Sequence, residues 1–211
     1  MAFSENKSNN NGLIFFIVVV LIAGLFIFSV RQENNASNPL DGLFVASDSN
    51  NTMGYYGAPV VEEKADLVEA YFCPQDACAD KLVKKIDSAS SSIYIAIYSF
   101  TLDSISDAVI RAKKRGLDVK VIYDSDQSKN DASDDERLSN EGIKIAYRNG
   151  SGYMHNKFTI IDLNIVATGS FNYSNNADTK NEENLVFIES TGLAEKFKQN
   201  FDYIWSKANV S

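Results

Sequence analysis

Residues 13–30 read LIFFIVVVLIAGLFIFSV, apolar on every helical face, and no charge falls between Lys7 and Arg31. As a helix these 18 residues rise roughly 27 Å, close to the ~30 Å hydrocarbon core of a bilayer. A cleaved signal peptide carries a shorter apolar run that ends at a small-x-small site. Here Arg31, Gln32 and Glu33 follow directly. The pattern predicts an uncleaved single-pass transmembrane helix over 13–30, after a tail over 1–12. Lys7 plus the amino terminus outweigh Arg31. The positive-inside rule therefore puts the N-terminus in the cytoplasm and the remainder outside. Over 31–64 no periodicity persists. Asn34-Asn35, Asn38-Pro39 and Asp41-Gly42 mark turns, which predicts a flexible linker.

Over 65–211 the pattern changes to alternating strands and helices. Strands are predicted at Leu67–Phe72, Ser92–Phe100, Val119–Tyr123, Ile143–Tyr147, Lys157–Ile161, Ile165–Thr168 and Leu185–Ile188. In the second, Ile93, Ile95 and Ile97 alternate against Tyr94, Ala96 and Tyr98. Helices are predicted at Ala77–Ala89, with Leu82, Val83 and Ile86 on one face, and at Asp103–Arg115, stopped by Gly116. A short one follows near Asp134–Asn140. Another closes the chain at Leu193–Lys207, carrying Phe197, Phe201 and Trp205. A hairpin is expected across Asp162–Asn164. Strands alternating with helices imply an α/β domain, and the hairpin makes its sheet mixed.

Charge and composition narrow the function. Lys plus Arg is 20 against 28 Asp plus Glu, a net charge of −8. Non-specific nucleic-acid binding needs surplus Lys and Arg, so this balance disfavours it. Two cysteines exclude a disulfide framework. A single histidine excludes any two-histidine metal site, or any catalytic histidine pair, within one chain.

The candidate chemistry gathers around that histidine. His155 and Lys157 stand two apart, on one face of a predicted strand. After the next strand come Gly169, Ser170 and Asn172, a hydroxyl and an amide beside a glycine turn. Glu182 and Glu183 lead into the following strand. An imidazole, an ammonium, a hydroxyl, an amide and a carboxylate suffice for phosphoryl transfer without a metal. The imidazole attacks or donates a proton, and the others hold phosphate oxygens or orient the ring.

This constellation resembles the phospholipase D superfamily, whose signature is His-x-Lys-x4-Asp and, six residues on, Gly-Ser. His155, Lys157, Asp162, Gly169 and Ser170 meet it in full. IYIAIYSFT, AKKRGLDVKVIYD and TGSFN followed by TKNEENLVFI are typical of its single-motif branch, which includes bacterial endonucleases and mitochondrial cardiolipin hydrolase. The resemblance spans about Leu67 to Trp205 and implies a phospholipase D-like fold. It implies that His155 is the nucleophile in one subunit and the general acid in the other. Lys157, Ser170 and Asn172 would bind phosphate oxygens, and Glu183 would hydrogen-bond the imidazole and set its tautomer. It further implies a homodimer, because one chain holds one histidine. Asp162 lies five residues from Lys157, hence on the opposite strand face, and reads as a structural residue at the hairpin turn.

Two segments stand outside the signature. The loop Asp124–Glu136 holds six carboxylates against Lys129 and reads as a solvated surface loop. If it rimmed the cleft, it would repel a polyanion. Lys113-Lys114-Arg115 sits where a helix C-terminus favours positive charge. Cys73 and Cys78 form a local disulfide if the domain lies outside the cytoplasm, and remain thiols if it lies inside. Structural zinc takes four ligands as a rule, so no metal site and no cofactor are expected. The sequence thus predicts a membrane-anchored phosphodiesterase, with phospholipid slightly favoured as substrate. A metal-independent endonuclease and a catalytically dead, membrane-tethered binding module are the alternatives.

Overall fold

The computed structural model describes residues 65–210. The tail over 1–12, the anchor expected over 13–30 and the linker expected over 31–64 lie outside them. Among the described residues no helix is long and apolar enough to cross a membrane.

The elements run β1 (Leu67–Cys73), α1 (Cys78–Ser88), β2 (Ser92–Ile97), α2 (Asp103–Lys114), β3 (Asp118–Asp124), a 3-10 turn (Gln127–Lys129), α3 (Asp135–Asn140), β4 (Lys144–Arg148), β5 (Lys157–Ile161), β6 (Ile165–Gly169), α4 (Asn175–Thr179), β7 (Glu183–Glu189), α5 (Thr191–Ser206) and β8 (Asn209–Val210). They form one eight-stranded sheet in the order β1-β7-β6-β5-β2-β3-β4-β8. The pairs β2–β3 and β3–β4 are parallel. The others are antiparallel, so the sheet is mixed, as the hairpin required.

Both faces of the central strands are buried, which explains why β2 carries no charged residue and is hydrophobic from Ile93 to Ile97. Ile93, Ile95 and Ile97 join Leu82 and Ile86 of α1 and Ile105 and Val109 of α2 in one core. Tyr94 and Ala96 turn to the other face, against Phe158, Ile160 and Val166 and, from α5, Ala194, Phe201 and Ile204. Each fully buried aliphatic or aromatic side chain contributes about 1.5–3 kcal/mol.

The second strand is shorter than its apolar run, ending at Ile97 rather than Phe100. Tyr98 N still donates to Asn156 O, at 2.9 Å. The chain then leaves the sheet to meet another loop, where Tyr173 N donates to Ser99 O (3.1 Å) and Thr101 N to Tyr173 O (2.8 Å). Those bonds replace the ladder and carry Tyr98 out over the end of the sheet.

The hairpin turns through Asp162 and Leu163, both at φ 54°. The Asp162 carboxylate accepts from the backbone amides of Ser90, Ser91 and Ser92 at 2.7–3.0 Å, and from the hydroxyls of Ser90 and Ser91. It ties the turn to the chain entering β2. Burial pushes its pKa up, but the three amides outweigh burial and hold it at about 2.

The acidic loop differs from a solvated one. Asp124, Asp134 and Asp135 are buried, at 3%, 6% and 6% exposure. Each has partners: Asp134 accepts from Ser106 Oγ (2.6 Å) and Asp135 from Tyr147 OH (2.8 Å). The basic cluster after α2 is likewise engaged. Arg115 donates to Ile86 O and Ala89 O, and Lys114 pairs with Glu141. Cys73 and Cys78 are joined by a disulfide, Cα to Cα 5.7 Å.

Candidate active site

The loops that follow β2, β3 and β4 gather at the C-terminal ends of these parallel strands, where α/β sheets place their sites. Lys157 opens β5 directly opposite Ile97, the last residue of β2. His155 precedes it by two residues, in the loop that descends from β4. That loop is pinned by Asp124, whose Oδ2 accepts from Met154 N at 2.8 Å. The sequence offered no spacing that would have marked Asp124 for this task.

His155 is exposed, but its ring is held on two sides. The Lys157 ammonium stands 3.2 Å from His155 Nδ1 and donates to His155 O at 3.0 Å. The Tyr98 ring lies 4.5 Å from the imidazole, centroid to centroid, tilted by 58°. It also lies under Lys157 Nζ, 5.1 Å from the centroid. Gln127 Nε2 donates to the Tyr98 hydroxyl at 3.2 Å. Tyr98 therefore belongs to the site. In the sequence Tyr98 stands only on the alternate face of a strand predicted to run to Phe100, and no pattern marks it for the site.

An ammonium has no lone pair, so its contact with Nδ1 uses the imidazole's lone pair and leaves the ring proton on Nε2. Within the protomer the bond described for Glu183 goes elsewhere. Its Oε1 accepts from Asn181 Nδ2 at 3.1 Å, and among the described contacts it makes no bond to His155. Its charge does reach the pair. Burial pulls the Lys157 ammonium below its ordinary value, and Glu183 partly opposes that shift.

The Gly169–Tyr173 segment alternates inward and outward side chains. Phe171 and Tyr173 are buried, and Tyr173 OH meets Thr159 Oγ1 at 2.5 Å. Ser170 and Asn172 take the opposite positions. Ser170 Oγ accepts from Asn184 N at 3.1 Å, while Asn184 O accepts from Ser170 N and Phe171 N. These bonds lock the ends of β6 and β7 together and leave the Ser170 proton free to donate. Gly169 makes that approach possible: at φ 150°, an added Cβ would stand 2.2 Å from Asn184 O. Asn172 Oδ1 is buried without a partner among the described residues. Glu183 opens β7 across from Cys73, so the disulfide braces the strand next to that carboxylate.

One end of the sheet thus brings together His155, Lys157, Gly169, Ser170, Asn172 and Glu183. Asp162 lies at the opposite end of β5, behind the hairpin.

The family described as cardiolipin synthase, PLD-like domain, matches residues 82–205. A phospholipase D of Rickettsia prowazekii is 32% identical over 198 residues, covering 92% of this chain and 94% of that protein. A mitochondrial cardiolipin hydrolase of Chlamydomonas reinhardtii is 34% identical over 120 residues, covering 57% of this chain and 54% of that protein. Among solved structures, the phospholipase D family member Nuc of Salmonella typhimurium aligns with a TM-score of 0.66 and 34% identity, over 69% of this chain and 97% of that one.

Proposed function

The chain belongs to the phospholipase D superfamily, and on that premise we propose that it hydrolyses a phosphodiester bond through a covalent intermediate on His155. The observation that carries this reading is the contact of His155 Nδ1 with Lys157 Nζ at 3.2 Å, at the sheet end that also holds Ser170, Asn172 and Glu183.

Substrate phosphate draws the Lys157 ammonium from Nδ1 onto a non-bridging oxygen, joined there by the free Ser170 proton and the Asn172 amide. The ring proton passes from Nε2 through solvent to Nδ1, where a Glu183 carboxylate of the dimer accepts its hydrogen bond, and the Nε2 lone pair is freed for attack. A P–N bond forms and the P–O bond to the leaving alcohol breaks. The leaving oxygen needs a proton, and the chain has no second histidine. The partner subunit's His155, present as the imidazolium, supplies it across a two-fold axis, then as the neutral imidazole deprotonates the water that cleaves the P–N bond. Products are an alcohol and a phosphomonoester, and both imidazoles return to their starting states.

The anchor expected over 13–30 would hold this site against headgroups, outside the cytoplasm. With the net charge of −8, it favours a phospholipid over a nucleic acid. The test is the full-length protein on a chromogenic diester and on phospholipid micelles, with EDTA present. Turnover that survives chelation, by a protein sedimenting as a dimer, supports the reading. Turnover restored only by a divalent ion, or full activity from a monomer, contradicts it.

A further inference from the structure

The Asp124 carboxylate is buried at the end of β3, and its two oxygens serve two different loops. Oδ1 accepts from Asp126 N at 3.0 Å and from Gln127 N at 3.2 Å, whereas Oδ2 accepts from Met154 N at 2.8 Å. We propose that Asp124 is a positioning residue for the reaction: through Met154 it seats the His155 ring against Tyr98 and Lys157. The inference rests on the phosphodiesterase reading above and deepens it, because it gives the pinned loop a consequence for turnover.

The chain between β4 and β5 has few other anchors. It leaves β4 where Ser125 N donates to Arg148 O (3.1 Å), and it rejoins the sheet end where Tyr98 N donates to Asn156 O (2.9 Å). Over 149–155, the one backbone amide with a partner among the described residues is that of Met154. The Met154 side chain is buried as well, in the core on the α5 face. Met154 is thus held at its amide and at its side chain, which fixes the direction in which the chain delivers His155.

The carboxylate is matched to this task. Three amides converge on it, so both oxygens must accept. The two bonds to Oδ1 set the plane of the group and leave Oδ2 facing Met154 N. A buried carboxylate is costly unless it is hydrogen-bonded, and bonds to an ionised acceptor are the stronger ones. The turn that Oδ1 holds also carries Gln127, whose Nε2 donates to the Tyr98 hydroxyl at 3.2 Å. One buried group therefore ties the loop bearing His155 to the turn that touches Tyr98. The result is the imidazole 4.5 Å from the Tyr98 ring, with Lys157 Nζ 3.2 Å from Nδ1.

His155 is the chain's only histidine, so its ring protons are a unique nuclear magnetic resonance probe. The ring current of Tyr98 displaces them, and Tyr98→Leu defines their positions without it. In the full-length protein in detergent micelles, Asp124→Asn should move them a large part of the way toward the Tyr98→Leu positions. A single amide oxygen cannot serve both loops: facing Asp126 and Gln127, it leaves Met154 N without an acceptor. Asp124→Glu keeps the charge for folding but carries the oxygens one methylene further, and should move the resonances in the same direction. Displacements no larger than those in Asp162→Asn, whose weakened turn lies at the opposite end of β5, would mean general loosening and overturn the proposal. In turnover, Asp124→Asn should lower kcat about thirtyfold, the order expected for a misplaced reacting group, with little change in KM. Adding Tyr98→Leu should then cost about threefold or less rather than tenfold, because a displaced imidazole has already lost that ring. Losses that multiply, or a loss confined to KM, overturn it. A wild-type protein that cleaves no diester defeats the catalytic reading, and the resonances still decide whether Asp124 places the ring.

Discussion

Lys157 donates to His155 twice, through Nζ to the backbone oxygen at 3.0 Å and through Nζ to Nδ1 at 3.2 Å. The cation that is to hold the phosphate thus occupies the imidazole until the phosphate arrives. Burial lowers the Lys157 pKa and Glu183 partly restores it. The ammonium is the active form, so activity is lost as pH rises through a value below the ordinary 10.5 of lysine. Glu183→Gln removes the carboxylate that favours the charge, and the alkaline limb of kcat/KM should move to lower pH. A limb that stays in place, or moves up, would separate Glu183 from Lys157.

Tyr98 offers its ring to both catalytic groups. Tyr98→Phe keeps the ring and should retain most of the activity. Tyr98→Leu removes the tilted ring contact and the cation–π contact, each about 1 kcal/mol, and should lower kcat about tenfold with little change in KM. Equal kcat for the two variants would deny the ring a positioning role.

Asp162 belongs to the sequence signature but should govern stability rather than turnover. Its folded pKa of about 2 lies below the ordinary 3.8. The stabilisation is present above pH 4 and fades as pH falls toward 2. Discounted for solvent screening, it is about 1–2 kcal/mol. Asp162→Asn should lower the urea midpoint at pH 7 and converge with wild type near pH 2, while activity per folded molecule stays within about twofold. A specific loss of kcat would place Asp162 in the chemistry.

How much of this could be read from the chain depends on the kind of interaction. The β5–β6 hairpin and the amphipathic faces of α1, α2 and α5 follow from local periodicity, and they were legible. So were His155, Lys157 and Ser170, because a fixed spacing carries them. The end of β2 was not legible, because Tyr98 leaves the sheet for bonds to residues far along the chain, Asn156 and Tyr173. The acidic loop looked solvated because composition does not reveal that Asp124 faces Met154 N or that Asp135 faces Tyr147. The five-residue helix α4 was missed, being too short for a periodic signal. Its cap is Ser174, whose side chain accepts from Ala177 N.

The Cys73–Cys78 bridge ties the end of β1 beside Glu183. Replacing both cysteines by serine should cost about 2 kcal/mol of stability, the usual order for a short closed loop. If the domain is displayed outside the cytoplasm, both sulfurs in freshly quenched cells should resist alkylation until a reductant is added. Immediate alkylation of both would place the domain inside.

The central claim is that His155 becomes covalently bound to phosphorus. The most direct measurement is a rapid acid-free quench of the full-length enzyme during turnover of a labelled diester, followed by peptide mass spectrometry. The account predicts a base-stable, acid-labile phosphoryl adduct on the peptide that contains His155, absent from His155→Ala protein, which folds normally and does not turn over. Near-wild-type turnover by His155→Ala would contradict it, and the membrane-tethered binding module would become the better description.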